Sequence, residues 1–362
     1  MTEARWWSSL AARWRPAGAT AARLAPPLPP TPQGGVAPTS AAADSTAPSS
    51  PALDSDAAAS LRPLFLLCLL GSTPQPGSAA SAAATASAPD PAALQMLERL
   101  DRVIGSDIGS QQLLLRAPEV VPQLMRTLRD EAYSSSVDVA RRISRDTVLT
   151  AEVIRLASNT LRSADMAAVN LAQAVAVIGT QGLRQVIARV VLRPLFAAHG
   201  DTLSARAAPH IWADADKKAR LCAMLAAGGA CDPLDAYLAG LLHNAGWSAA
   251  LRAIDGQSAA ALPAASWAHP DIVDALFLRR DRLFAKLVPA WQVGPALDAL
   301  ADEIGQAGLD AAASPLARLL RQAQELAMLH SLQAHAVLSG GVVPPEALAP
   351  AVREAYRELS DS

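Results

Sequence analysis

From residue 91 to the C-terminus apolar residues recur at three- and four-residue spacing, punctuated by Pro, Gly and Ser/Asp/Asn. Alternating β-branched runs bounded by hairpin turns are almost absent. This periodicity predicts an all-α, multi-helix fold. Residues 118–130 set Val121, Leu124, Met125 and Leu128 on one face, and residues 134–145 carry Val137, Val139, Ala140 and Ile143. Asp146 reads as the N-cap of a helix over 148–158 that Asn159 closes. A helix over 171–178 ends at Gly179, and residues 182–197 are apolar nearly all round, which predicts a central helix. Pro209 reads as a first-turn residue of a helix over 211–227 that Gly228 and Gly229 end, while Asp232-Pro233 opens a helix over 234–245 closed by Gly246. Further helices are expected around 271–278, 283–288, 295–304, 315–338 and 345–359.

The first 91 residues contrast with this. They hold 14 of the 27 prolines and long Ala/Ser/Thr stretches, without the periodic apolar residues needed to offset the entropy of ordering the chain. They read as a mostly disordered arm with two apolar islands, at 5–15 and 61–70. The first sets Trp7, Leu10 and Trp14 at helical spacing with Trp6 alongside and Arg5, Arg13 and Arg15 on other faces, a pattern suited to weak contact with a membrane surface or a partner groove. The second is apolar enough to dock on the folded part. The expected organisation is therefore an arm over 1–91, a helical domain over 92–310 and a C-terminal helical extension over 311–362.

Charge and cysteine usage narrow the function. A net charge of −2 gives no global reason to bind nucleic acid. The three cysteines lack CxxC spacing, so neither a disulfide framework nor a thiolate zinc site is encoded, and a reducing cytoplasm fits. The longest uninterrupted apolar run, 64–70, is far short of the roughly 20 residues of a spanning helix. Trp212, Trp247, Trp267 and Trp291 read as packing residues, Cys222 and Cys231 as small buried hydrophobes, and the charged run Arg279-Arg280-Asp281-Arg282 as a solvated helix face.

The candidate chemistry lies in Gly240-Leu241-Leu242-His243-Asn244-Ala245-Gly246. Alone, His243 at a helix end is most simply a packed, hydrogen-bonded histidine. Other motifs accompany it in order: Ala117-Pro118-Glu119-Val120-Val121-Pro122, the stretch 139–150, Leu156-Ala157-Ser158-Asn159, Ala174 to Gly179, Ile211-Trp212, and Trp291 with Val293 and Leu297. Together they resemble the HDOD domain, the output-module branch of the HD metal-dependent phosphohydrolase superfamily, over roughly residues 111–304. The resemblance implies an HD-like helical fold. In catalytic HD domains it also implies a His on one helix, an adjacent His-Asp pair on a second and a further Asp, together holding divalent metals that activate water.

Here the pattern departs from that set. Asp214 stands two residues after Trp212, where the first His is expected, and Asn244 replaces the acid beside His243. A neutral amide offers one weak oxygen ligand and no charge to offset a dication. Arg280 falls where many relatives place another His, and a cation there repels metal. Trp212, Asp214, His243 and Asn244 thus read as a vestigial HD pocket holding no metal or cofactor. A displaced cluster of His210, Asp214 and His243 is the rival arrangement. The expected function is that of a non-catalytic bacterial signalling scaffold, a pseudoenzyme acting through protein–protein contacts with signalling partners and not through nucleic acid. The alternative is a metal-dependent phosphohydrolase acting on a nucleotide or cyclic dinucleotide through a rearranged site. A pocket that binds a nucleotide without turning it over is a third reading.

Overall fold

The structure, a computed structural model, describes residues 55–72, 88–106, 150–155, 171–255 and 262–335, together with 337, 353, 356, 357 and 359. Every regular element among these is helical. In chain order they are α1 (Ser55–Leu69), α2 (Pro91–Gly105), α3 (Leu171–Leu192) with a 3₁₀ turn at Arg193–Phe196, α4 (Leu203–Ala226), α5 (Pro233–His243), α6 (Ala245–Ile254), the single turn α7 (Ala264–Trp267), α8 (Pro270–Trp291), α9 (Pro295–Ala307) and α10 (Pro315–Ala334). Residues 150–155 are also helical. The expected helices over 118–130 and 134–145 and the island at 5–15 lie outside the described residues, as does most of 345–359.

Helix starts follow local chemistry. Asp90, Asp232 and Ser314 each accept a hydrogen bond from a backbone N–H of the first turn, and each precedes a proline at the first helical position. Pro209 departs from the expectation. Thr202, whose hydroxyl accepts from Ala205 N, caps α4, so the helix starts eight residues before 211 and Pro209 lies inside it. As the seventh residue it lies past the first turn and forgoes the bond that its nitrogen would otherwise donate to the Ala205 carbonyl, a loss this 24-residue helix sustains. Gly246 does not close α5 either. That helix stops at His243, and Gly246 lies in the first turn of α6. Expected as two pieces, 270–291 is one continuous helix, α8, ended by Gln292 in the left-handed region at φ 49°.

Packing is centred on α4, which lies along α5 and α10, while α8 packs on α9, α6 and α2. The N-terminal helix α1 lies against α10 and α8, burying Phe65, Leu66, Leu67, Cys68, Leu69 and Leu70. Its Arg62 guanidinium stands 3.2 Å from Asp274 and 2.6 Å from Asp310, above the Phe277 ring. The stretch Gln173–Phe196 is long and apolar enough to cross a membrane by length and composition. Gly179, at φ 66° and ψ −178°, breaks its helix where the sequence places the end of the preceding one, and Leu183, Val186, Ile187, Val191 and Leu192 are buried within the fold. Trp247, Trp267 and Trp291 are core residues. Cys222 is fully buried, whereas Cys231 is only half-buried because it sits in the short α4–α5 connection.

Candidate functional site

Two close approaches set the geometry. A Cβ at Gly240 of α5 would stand 2.7 Å from Ala219 Cα, and one at Gly246 would stand 2.3 Å from the Arg280 carbonyl oxygen. Hydrogen in place of a side chain therefore lets α5 lie directly on α4 and α6 directly on α8. The junction of α5 and α6, His243-Asn244, is held between those two helices with both residues at 0% exposure.

A continuous set of side-chain hydrogen bonds crosses this junction. The Lys218 ammonium lies 2.9 Å from His243 Nδ1 and also donates to Asn244 Oδ1. On its other edge His243 Nε2 is 2.9 Å from Asp281 Oδ1. With an ammonium on Nδ1 and a carboxylate on Nε2, the pattern assigns the neutral tautomer that carries its proton on Nε2. Asn244 Nδ2 donates to Asp214 Oδ2 at 2.9 Å and to the Ile211 carbonyl at 3.4 Å. Asp214 Oδ1 accepts from Ser331 Oγ at 3.5 Å, and Lys217 Nζ donates to that hydroxyl at 3.1 Å. At the far end, Arg280 Nε and Nη2 stand 2.9 Å and 2.7 Å from Asp281 Oδ1. Arg280 Nη1 donates to Gln324 Oε1 at 2.6 Å, and Leu309 N donates to Asp281 Oδ2 at 2.8 Å.

Electrostatics follow from burial and these neighbours. Burial, reinforced by Lys218 and Arg280, pushes the His243 imidazole well below its usual range, so it stays neutral at physiological pH. Burial, with Arg280 nearby, lowers Lys218 to about 7. Burial alone would raise the Asp281 carboxyl, but Arg280 and the His243 hydrogen bond hold it below the ordinary carboxylate range. The Arg280 guanidinium also lies over the rings of Trp247, at 5.4 Å, and Phe277, at 4.8 Å. The charged run at 279–282 is thus not a solvated face: Arg280 and Asp281 are 1% and 3% exposed, each the other's counter-charge.

Asp214, His243 and Asn244 are brought together as the sequence places them. Trp212 is not. It points to the other side of α4, half-buried, with its ring 5.3 Å from Phe196 and under the Arg193 guanidinium. The displaced cluster of His210, Asp214 and His243 does not form, because His210 lies instead beside His335, ring centres 6.0 Å apart. With Pro209 internal to α4, His210 is not in a first turn either. Lys218, Asp281, Gln324 and Ser331 were not legible as members of the site. Only Lys218 carried a signal, standing four residues after Asp214 on the same helical face.

Among the described residues no three His, Cys, Asp or Glu side chains converge as a metal site would require. The donors present do not fit a dication. His243 spends Nδ1 on an ammonium and Nε2 on Asp281, Asn244 turns its oxygen to the same ammonium, and Asp281 is engaged by a guanidinium.

No curated protein matches the chain. Among solved structures, it is similar to a protein from Shewanella amazonensis SB2B assigned by its name alone to the metal-dependent phosphohydrolases, at 19% identity and a TM-score of 0.47, covering 74% of this chain and 97% of that one. It is also similar to an HDOD domain protein of unknown function from Geobacter sulfurreducens, at 19% identity and a TM-score of 0.44, covering 74% of this chain and 89% of that one. The HDOD domain family model matches residues 114–275, a segment that includes Asp214, Lys218, His243 and Asn244 and stops before Asp281. Over that segment the chain carries an HDOD domain.

Proposed function

We propose that this domain is a non-catalytic scaffold of bacterial signal transduction, working in the cytoplasm by binding a partner protein. The observation that supports it is the position of the Lys218 ammonium. It lies on His243 Nδ1 and Asn244 Oδ1, the two side chains that the resemblance aligns with the metal-holding His-Asp pair of catalytic relatives. A second buried cation, Arg280, stands on the opposite side of the imidazole, on Asp281. Hydrolysis in this superfamily needs a metal to polarise phosphate and activate water, and two fixed positive charges oppose its entry. A helical body without that chemistry acts through its surface.

Elemental analysis of the full chain, purified from cells grown with added manganese, iron and zinc, tests the reading. Metal far below one equivalent, with no hydrolysis of nucleotides or cyclic dinucleotides, is the expected result. Stoichiometric metal together with a hydrolytic activity lost in His243→Ala would replace the scaffold with a phosphohydrolase.

A further inference from the structure

Lys218 is 0% exposed, and its ammonium is shared between an imidazole nitrogen and an amide oxygen from the α5–α6 junction. A buried lysine is most often tolerated at a cost in desolvation, and an apolar side chain of similar length then does as well or better. The surroundings here differ from that case. Asp214 stands one hydrogen bond away through Asn244, and Asp281 one hydrogen bond away through His243. Within this bonded set two carboxylates, Asp214 and Asp281, face three cations: Lys218 and Arg280, both fully buried, and the half-buried Lys217, which reaches Asp214 through Ser331. Removing the lysine leaves two buried acceptors, His243 Nδ1 and Asn244 Oδ1, without a donor.

We propose that Lys218 is a tethered cation doing the cross-linking work of a bound metal ion, fastening α4 to the α5–α6 junction through His243 and Asn244. The donor set it satisfies, one imidazole nitrogen and one amide oxygen backed by a carboxylate, is a set that binds cations, and the chain supplies the cation itself. The inference rests on the non-catalytic reading above and extends it, because a cation supplied by the chain leaves no vacancy for one from solution. It also assigns the site a ligand class once the lysine is shortened. A lysine-to-alanine change leaves a small cavity lined by those acceptors, suited to a short alkylammonium ion.

Thermal unfolding of the full chain, its Lys218→Met and its Lys218→Ala variants, each with and without ethylammonium, tests this. Lys218→Met keeps the length and removes the donor to His243 Nδ1 and Asn244 Oδ1, and its Tm is expected to fall by roughly 5–10 °C. Lys218→Ala is expected to fall further and to recover part of the loss saturably with ethylammonium, which moves neither the wild type nor Lys218→Met. A Lys218→Met variant melting at or above the wild type overturns the proposal, as does ethylammonium acting equally on all three. A measurement on the wild type needs no variant to fold: ¹⁵N NMR of His243 is expected to show a proton on Nε2 and an unprotonated, hydrogen-bonded Nδ1, and the opposite tautomer overturns the proposal. Stoichiometric metal in the wild type would sink both this inference and the scaffold reading, whereas the melting and tautomer outcomes bear on the lysine alone.

Discussion

His243 Nε2 lies 2.9 Å from Asp281 Oδ1, joining the last residue of α5 to the middle of α8 where neither side chain meets solvent appreciably. The same carboxylate holds Arg280 and caps the Leu309 amide. Asp281→Asn keeps the shape and removes the charge, leaving the Arg280 guanidinium buried without a counter-ion. A loss of about 3–5 kcal/mol is expected in urea unfolding. A change within experimental error would mean that Arg280 finds another partner.

Gly246→Ala tests the closeness of α6 and α8. The added methyl would stand 2.3 Å from the Arg280 carbonyl oxygen, a backbone atom that cannot swing aside. The helices must separate, and overpacking of this kind costs about 1–3 kcal/mol or more. Calorimetry is expected to show a lower Tm, whereas Gly305→Ala, which meets only the Ala285 methyl at 2.8 Å, is expected to cost less.

The acid side of the stability curve has a sign set by partly or fully buried imidazoles: His330, lowered to about 4, and His210 act in the same direction as the more deeply buried His243. The folded value of His243 lies well below the ordinary one, so the unfolded chain takes a proton near pH 6.5 that the folded chain refuses. Stability is expected to fall as pH drops through about 6.5, and further below about 4 as Asp281, held low by Arg280 and His243, gives up its charge. His243→Gln is expected to be less stable overall and to show a shallower first decline in chemical denaturation at stepped pH, the remainder belonging to His330 and His210.

Docking of α1 separates apolar from ionic contributions. Asp274 and Asp310 are 63% and 59% exposed, so the pairs that Arg62 makes with them are screened and worth about 1 kcal/mol or less each. Leu66 is 0% exposed, and Leu66→Ala is expected to cost about 2–5 kcal/mol. Hydrogen exchange across 59–70 should rise strongly in Leu66→Ala and modestly in Arg62→Ala. The reverse order would show that the ion pairs hold the helix.

Much of the architecture is written in local chemistry. Asp232-Pro233 announces the start of α5, Gly179 marks the break in α3, and the apolar island at 61–70 is the part of α1 that docks. The pairing of His243 with a neutral amide, and the presence of Asp214 on a neighbouring helix, are equally visible. What hides is burial of charge. Arg-Arg-Asp-Arg reads as a solvated run because adjacent charges on a helix usually reach water, and nothing local tells that α6, α10 and the loop at Leu309 close over two of the four. Lys218 hides for the same reason, its partners lying 25 and 26 residues away. Pro209 misleads differently, since a proline signals a helix start only when no better cap lies upstream, and Thr202 is such a cap.

Helix α10 touches the polar chain at both extremities, through Gln324 on Arg280 and Ser331 on Asp214. Seven residues separate these contacts, close to two helical turns, so a rigid rod spans the whole series like a bar across a row of tumblers. Sliding or lifting that bar disturbs both terminal contacts in one stroke. A displacement of α10 would therefore bear on both ends of the series together, with the six groups between them spanned by one element.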